Sequence, residues 1–297
     1  AAINAAGQGA WSANSASVTI QDFAAAPTGV TGVVGNTQVA LSWTAPTSNG
    51  GNAISNYDIQ YSSNNGATWT IFNHPVSTAT TLTVTGLTNG VDYLFRVAAI
   101  NGWGRANFAT TPTTYNPFTL PGAPTNVVGA AGSSQAVITW TASAPNGRAI
   151  TDYVVQYSSD GTTWATFTDS VSSTASCTVT GLTNGTAYTF RIAAVNAAGT
   201  GTYSVVSTAV TPFTTPGAPT AVTGVSGNTQ VVVSWTAPAD NGGSAIIQYQ
   251  VSYAPQGTDS YETWSTATAT QSSSATFTVT GLTNGTSYKF KVSATNA

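Results

Sequence analysis

Apolar and polar residues alternate along three segments of the chain that share nearly the same sequence. Each segment begins with Gly-Leu-Thr-Asn-Gly and continues with Tyr, Phe and then Val or Ile on one face of a two-residue period. The three copies occupy residues 86–97, 181–192 and 281–292. A Gly/Asn turn followed by strict alternation is typical of a β-strand with one buried face. The sequence therefore predicts the same strand in three successive repeats.

A second alternating segment in each repeat ends in a tryptophan, and these tryptophans recur after about 95 residues at Trp43, Trp140 and Trp235. A strand with tyrosines on one face follows, and then a turn and another tryptophan. These later tryptophans are Trp69, Trp164 and Trp264. Several short strands at regular spacing, separated by Gly and Asn turns, predict an all-β sandwich for each repeat.

The chain resembles fibronectin type III domains in the succession of Trp43, Tyr61, the Gly-Leu…Tyr-x-Phe-x-Val segment at 86–97 and Asn101. Its residue pattern is similar to that of the bacterial extracellular members of the family. The resemblance covers nearly the whole chain. It implies tandem seven-stranded Greek-key β-sandwiches, each with a buried tryptophan on its second strand. It also implies a tyrosine corner in each repeat, made by Tyr93, Tyr188 and Tyr288.

The repeats predict four stretches of chain, of which the first and last are incomplete sandwiches. Residues 1–23 contain the C-terminal strands of a preceding repeat, with the last strand at 15–20. Two full repeats follow at 24–118 and 119–213, and the repeat at 214–297 lacks its last strand.

Two explanations of these incomplete ends remain open. The chain is either a window from a longer array, whose flanking repeats supply the missing strands, or residues 10–23 of one molecule fill the open edge of the third repeat of another. Residues 1–5 repeat the pattern of residues 293–297, and this overlap favours the window. In both cases we expect neighbouring copies or flanking repeats to pair with the open strand edges, since unpaired edges aggregate.

A phenylalanine precedes each joint between repeats. The joints contain Pro-Gly-Ala-Pro at 121–124 and 216–219, and a shorter Ala-Ala-Ala-Pro at 24–27. Short proline-rich joints act as semi-rigid spacers. We expect the phenylalanines to pack between neighbouring domains and limit bending, although each could instead close the end of its own sandwich. They are Phe23, Phe118 and Phe213.

Charge is scarce along the chain, and this excludes some partners. Asp, Glu, Lys and Arg make up 5% of the 297 residues, against about 25% in ordinary soluble domains. Six basic residues and a net charge of −3 cannot form a phosphate-binding surface, so we expect no nucleic-acid partner. No apolar run approaches the length of about 18 residues that a membrane span needs, so we expect no membrane contact within this segment.

The ionisable and nucleophilic residues predict neither catalysis nor a cofactor or metal site. His74 is the one histidine and Cys177 the one cysteine, so neither has a partner for nucleophilic catalysis. The nine carboxylates do not recur at a fixed spacing and form no calcium-binding loop. Cys177 aligns with Leu82 and Phe277, and this apolar position predicts a buried structural thiol.

One loop carries the composition of a recognition site. In the first repeat the predicted strand is followed by Trp103 and Arg105, beside glycines, where other copies have alanine in place of the tryptophan. A large aromatic next to arginine is typical of interface hot spots. Trp103 could instead fold against its own domain or the neighbouring joint. Earlier on the same strand, Arg96 lies on the outer face, where it could pair with Asp58 or Gln60.

The sequence thus favours a structural, non-catalytic array that serves as stalk, fibre or filament subunit at a bacterial cell surface. The first alternative is an adhesive module that binds a glycan or a surface protein. A further one is a spacer region in a secreted enzyme or in a phage tail fibre. The fold alone does not separate these functions, because it hosts adhesion, spacing and display.

Overall fold

The computed structural model describes residues 1–256, 264–267 and 273–297, and these residues contain strands and no helix. They divide into two compact units, one of residues 1–119 and 146–149, the other of residues 120–145 and 150–297. None of the described segments is a helix of the length and hydropathy that crossing a membrane requires.

A short hairpin begins the chain and is followed by the first repeat. The hairpin strands are β1 (Ile3–Asn4) and β2 (Gly7–Gln8). The strands of the first repeat are β3 (Thr28–Gly35), β4 (Gln38–Thr44), β5 (Asn56–Ser62), β6 (Thr70–Ile71), β7 (Thr81–Thr85), β8 (Leu94–Asn101), β9 (Gly104–Arg105) and β10 (Ala109–Thr110). One sheet has the order β3-β4-β7 and the other β10-β8-β5-β6, with β9 paired to β8. Because β9 and β10 pair with successive parts of β8, together they occupy the place of the seventh strand of the predicted Greek-key sandwich.

The second repeat has the same two sheets with a less regular last edge. Its strands are β11 (Thr125–Gly132), β12 (Gln135–Thr141), β13 (Asp152–Ser158), β14 (Ala165–Phe167), β15 (Ser176–Thr180), β16 (Thr189–Asn196) and β17 (Gly199–Thr200). The sheets have the orders β11-β12-β15 and β14-β13-β16-β17. After β17 the chain follows the edge of β16 through single backbone hydrogen bonds at Ser204 and Ser207, and Val210 forms an isolated two-bond bridge with Tyr188, instead of a continuous strand.

The third repeat contains two three-stranded sheets. Its strands are β18 (Thr220–Gly227), β19 (Gln230–Thr236), β20 (Ile246–Pro255), β21 (Ser265–Ala267), β22 (Thr276–Thr280) and β23 (Tyr288–Asn296). The sheet orders are β18-β19-β22 and β21-β20-β23, so no described strand covers the outer edge of β23. That the repeat at 214–297 lacks its last strand stays a prediction.

Alternation along the strands builds each core. In β4 the side chains of Val39, Leu41 and Trp43 are buried, while the residues between them are exposed. Each strand tryptophan meets a tyrosine of the facing sheet edge-on, at ring-centroid distances of 5.1, 4.9 and 5.1 Å in the three repeats. Edge-to-face pairs add about 0.5–1.5 kcal/mol beyond the area that they bury. The predicted all-β fold and the buried tryptophan are therefore confirmed.

The strand predicted at residues 15–20 does not form. The chain from residue 9 to residue 27 lies outside any strand, and Val18 and Ile20 are 85% and 90% exposed. The reason is that no described strand lies beside this segment to accept its backbone hydrogen bonds. The hairpin before it does form, and its Gly7 has a φ of 121°, close to the 130° of Gly104 in the β8–β9 hairpin.

Candidate functional site

The Trp103 loop binds the segment that precedes the first repeat. The loop joins β8 to β9, and the Asn101 side chain accepts the Trp103 backbone N–H at 3.0 Å. The indole N–H of Trp103 donates to the Gln21 side chain at 2.8 Å, while 56% of the residue remains exposed. The polar atom of the ring is therefore already bonded to the segment before the repeat. A recognition role for Trp103 stays a prediction.

Arg105 lies on the outer face of the same sheet in a network of its own. Its Nη1 donates to the Asp58 carboxylate at 2.8 Å, and its guanidinium lies 4.8 Å from the Phe108 ring. The Arg105 side chain is 50% exposed and that of Asp58 is 12% exposed, so solvent screens the ion pair only in part. A role of Arg105 in recognition also stays a prediction.

Arg96 lies between two aromatic rings in this network. Its guanidinium is 4.2 Å from the Trp69 ring and 4.2 Å from the Phe108 ring, and it donates to Gln60 at 3.0 and 2.6 Å. Burial lowers the pKa of Arg96, as does nearby Arg105, while Asp58 raises it. The predicted cross-strand pair of Arg96 is thus with Gln60, and Asp58 pairs with Arg105 instead.

The same stack recurs in the other repeats. Arg191 lies 4.2 Å from the Trp164 ring and 4.5 Å from the Tyr203 ring. In the third repeat Lys291 lies 4.2 Å from Trp264. Cation–π contacts contribute about 0.5–2 kcal/mol. The sequence signal was present but overlooked: the tryptophan and the cation keep one spacing in all three repeats.

Asparagines at the ends of β8 and β23 each bond to a joint. The Asn101 amide donates to the backbone carbonyls of Asp22 and Asn49, both at 2.9 Å. The Asn296 amide donates to the carbonyls of Thr214 and Asn241 at 2.7 and 2.8 Å. In each pair, one carbonyl belongs to the joint that precedes the asparagine's own sandwich. The other belongs to a loop of that same sandwich. We name this pair of bonds the joint clamp.

In the second repeat Asn196 is the counterpart of these residues. Its amide donates to the Pro145 carbonyl, which lies in the corresponding loop, at 2.9 Å.

Backbone bonds beside the clamp fix which joint residues correspond. Asp22 N–H donates to Gly50 at 2.8 Å, Thr119 N–H to Asn146 at 3.1 Å, and Thr214 N–H to Gly242 at 2.7 Å. The three donors therefore occupy equivalent positions, and so do the residues immediately before them. Those preceding residues are Gln21, Phe118 and Phe213.

The expected set of three phenylalanines consequently occupies two different positions. Phe118 lies against the Arg148 guanidinium at 4.4 Å, and Phe213 is 42% exposed. Phe23 comes after the equivalent position; it is 52% exposed, and its ring lies beside Gly104. Packing of these residues between domains stays a prediction.

The tyrosine corner is present in all three repeats. The hydroxyl of Tyr93 accepts the Thr88 N–H at 3.1 Å, and Tyr188 and Tyr288 accept the equivalent bonds at 3.2 and 3.1 Å. Each bond ties the turn of the repeated segment to the strand that follows it. The part that the resemblance implied for these tyrosines is therefore confirmed.

Comparison with known proteins agrees with this geometry. The family model described as "Fibronectin type III domain" matches residues 25–115, 122–210 and 215–297. The chain belongs to the fibronectin type III family. The domain boundaries predicted at 24, 119 and 214 stay predictions.

Two bacterial enzymes are among the curated relatives of these fibronectin type III repeats. Exoglucanase B of Cellulomonas fimi is 32% identical over 91% of this chain and 24% of its own length. Chitinase A1 of Niallia circulans is 35% identical over 57% of this chain and 23% of its own length. The chain thus spans about a quarter of the length of these relatives.

A solved structure with the same kind of domains also matches. It is the crystal structure of chicken CNTN1 FN1-FN3 domains, which is 22% identical, with 93% of this chain and 94% of that chain covered and a TM-score of 0.40.

His74 and Asp160 bond to nearby backbone groups. Both ring nitrogens of His74 lie near backbone carbonyls, of Pro75 at 2.8 Å and Tyr57 at 3.0 Å. Among the described residues no group of three or more His, Cys, Asp or Glu could hold a metal ion, and Asp259 and Glu262 lie outside those residues. Backbone N–H bonds from Thr163 and Thr162 hold the pKa of Asp160 well below its usual range.

Cys177 should react slowly with thiol reagents in the folded chain. It is half-buried rather than fully buried, and its thiol donates to the Asp169 carboxylate at 3.3 Å. Burial and, to a smaller extent, the hydrogen bond and negative charge of Asp169 together raise the pKa of Cys177 to about 12. Because the thiolate is the reactive form, labelling at pH 8 should become at least ~10-fold faster in denaturant. The labelling rate can be followed by the absorbance of the group that the thiol reagent releases. Equal rates in folded and denatured chains would contradict this prediction.

Proposed function

We propose that this chain is a structural, non-catalytic array of fibronectin type III domains that acts as an extracellular stalk or spacer and sets the distance between other parts of a protein. The joint clamp is the observation that carries the proposal. In the described residues, a side chain at the same place in the first and third repeats holds a carbonyl of the preceding joint to a loop of its own sandwich. A chain that only needed to tether its neighbours would not need such a contact.

Several features of the chain support a stiff spacer. Each joint is short and contains proline, which fixes the backbone angle φ and lowers the number of accessible conformations. The backbone bonds at Asp22, Thr119 and Thr214 add a fixed point at each joint. Short joints held by side chain and backbone together restrict bending more than proline alone does.

The relatives favour one setting for the spacer. The chain resembles about a quarter of an exoglucanase and of a chitinase, so a place beside the catalytic part of a secreted polysaccharide-degrading enzyme fits. A stalk or fibre at a bacterial cell surface would depend on the same length and stiffness of the repeats. In both settings the repeats supply length and stiffness, and any catalysis lies in other domains.

The clamp at the last joint provides the test. Asn296→Asp removes the donor of both bonds and places a carboxylate against the carbonyls of Thr214 and Asn241. Loss of these bonds should cost about 1–3 kcal/mol. We expect faster exchange of the Thr214 amide and a broader distribution of interdomain orientations, measured by nuclear magnetic relaxation and small-angle scattering.

Thr295→Ala is the matched control, because Thr295 is exposed and adjacent to Asn296 on the same strand. It should leave both measurements at the parent values. If Asn296→Asp also leaves orientation and exchange unchanged, the clamp does not stiffen the joint, and the spacer proposal loses its support.

A further inference from the structure

Eight asparagines of the chain are followed directly by glycine. They are Asn49, Asn65, Asn89, Asn101, Asn146, Asn184, Asn241 and Asn284. Asparagine is a thermolabile residue, and a following glycine makes it more so, because glycine has no Cβ to shield the backbone nitrogen that attacks the side-chain amide. Attack requires the amide carbon of asparagine to swing onto that nitrogen. Bonds that hold the amide elsewhere therefore protect an Asn-Gly step.

Three of these steps lie in the repeated Gly-Leu-Thr-Asn-Gly turns, and all three amides are held. Each asparagine accepts a backbone N–H of a neighbouring hairpin turn through its Oδ1 atom. The bonds join Asn89 to Thr37 at 2.9 Å, Asn184 to Ser134 at 2.8 Å and Asn284 to Thr229 at 2.9 Å. An amide that bridges two turns cannot reach the next backbone nitrogen without losing this bond.

The steps in and beside the joint loops are held as well. In two of them the asparagine Oδ1 accepts the N–H two residues on, from Asn49 to Gly51 at 3.0 Å and from Asn241 to Gly243 at 2.9 Å. Asn101 is buried and forms the joint clamp. After Asn146, a Cβ on Gly147 would lie only 2.6 Å from the Pro117 carbonyl oxygen, so backbone encloses that step.

Asn65 differs from the other seven. It is exposed in the turn after β5 with a φ of 56°, and its side chain bonds to none of the described residues. The neighbouring Asn64 shapes the turn instead, since its Oδ1 accepts the Thr68 N–H at 2.9 Å. In the second repeat Asp160 takes the place of Asn64 and is followed at once by Gly161. Asn65 is thus an additional residue at the tip of the turn, with an unheld amide.

One bond restrains the nitrogen that would attack. The Gly66 N–H donates to the Ser62 hydroxyl at 2.9 Å. In the repeated turns the glycine nitrogen is held in addition to the asparagine amide, since Gly90 N–H donates to Pro117 and Gly185 N–H to Pro212, both at 2.9 Å. Reaction at residue 65 therefore requires fewer bonds to open than reaction in those turns.

We propose that Asn65 is the site at which the folded chain deamidates, with water as the co-reactant. The Gly66 nitrogen gives its proton to hydroxide and attacks Cγ of Asn65. The new C–N bond closes an imide ring while the bond from Cγ to the side-chain nitrogen breaks, and that nitrogen leaves as ammonia. Water then adds to either imide carbonyl and opens the ring to aspartate or isoaspartate.

One water is consumed and one ammonia released, and nothing is oxidised or reduced. The product adds one negative charge to a chain whose net charge is −3. Because the bonded asparagines of the corner turns and of the joint clamp keep their amides, the change stays at one turn tip. The proposal does not depend on the spacer role.

The test is to age the full chain in mildly alkaline buffer, folded and in denaturant. Digestion with pepsin in acid, where the imide forms slowly, and mass spectrometry then give the converted fraction at each of the eight steps. In the folded chain we expect Asn65 to convert at least ~10-fold faster than any of the other seven, because their bonds must open first. In denaturant, where no such bonds remain, the eight rates should agree within about 3-fold.

Asn65→Gln provides the variant, since the longer side chain closes a ring much more slowly. Asn107→Gln is the matched control, because Asn107 is also exposed but is followed by phenylalanine. On ion exchange the folded parent and Asn107→Gln should gain acidic forms at the same rate, and Asn65→Gln should not. A second step that converts as fast as Asn65 in the folded chain overturns the proposal. An equal lead of Asn65 in denaturant also overturns it, because local sequence and not the fold would then set the rate.

Discussion

Replacing Phe190 with alanine should destabilise the second repeat by about 3–5 kcal/mol, the range for a fully buried aromatic side chain. Phe190 is 0% exposed and lies in a core with Val155 and Ile192, which are also 0% exposed. The loss has two parts, the transfer of the ring to water and the cavity that the close-packed neighbours cannot fill. Hydrogen exchange of peptides from each repeat gives the opening free energy of that repeat separately, as a multidomain chain requires.

Phe290→Ala is the matched control in the third repeat. The residue occupies the equivalent strand position, but it is half-buried and borders an open groove. We therefore expect a smaller loss, of about 1–2 kcal/mol, in proportion to the apolar area it hides. Equal losses at the two positions would show that the third core is as closed as the second.

Gly243→Ala should disturb the joint between the second and third repeats. Gly243 has a φ of 85°, which costs an alanine about 1 kcal/mol relative to glycine. In addition, a Cβ at this position would overlap the backbone amide of Gly185 and lie 2.8 Å from the carbonyl carbon of Asn184. Because both contacts are with backbone atoms, the loop must move. We expect this movement to destabilise the joint by about a further 1–3 kcal/mol, the usual cost of overpacking. Exchange of the Thr214 amide and small-angle scattering should both report the shift.

Gly285→Ala separates strain from contact. Its φ of 83° is nearly that of Gly243, but a Cβ there meets nothing within 4 Å. This substitution should show only the local cost of the left-handed backbone and leave scattering unchanged. If both variants change the scattering curve alike, contact with the Gly185 turn does not hold the joint.

The corner tyrosines show how far the pattern reaches. Alternation and the preceding turn placed Tyr93 at the start of a strand, and the resemblance to fibronectin type III domains implied its corner role. Its bond to Thr88 spans only five residues. The pairing of Arg96 with Gln60 also followed from the faces of neighbouring strands. Such features depend on residues close in sequence or directly opposite in a sheet.

Features of the joints could not be obtained in the same way. Phe23 aligned with Phe118 and Phe213 by composition, yet backbone bonds place Gln21 at their position. The bond from Trp103 to Gln21 joins residues that are far apart along the chain. In an irregular segment, the alignment between repeats can shift by one or two residues without any change in the hydrophobic pattern. No alternation of apolar and polar residues fixes the register there.

The sequence by itself determined three repeated sandwiches and a surface nearly without charge, because these follow from local period, turn chemistry and composition. Its resemblance to fibronectin type III domains implied the buried tryptophans and the corner tyrosines. Only the tertiary structure decided the joint clamp and the presence of Gln21, instead of Phe23, at the position equivalent to Phe118 and Phe213. Both depend on which backbone carbonyls are left unpaired once the sheets have formed. That is a property of packing between segments, and the order of residues along one strand does not contain it.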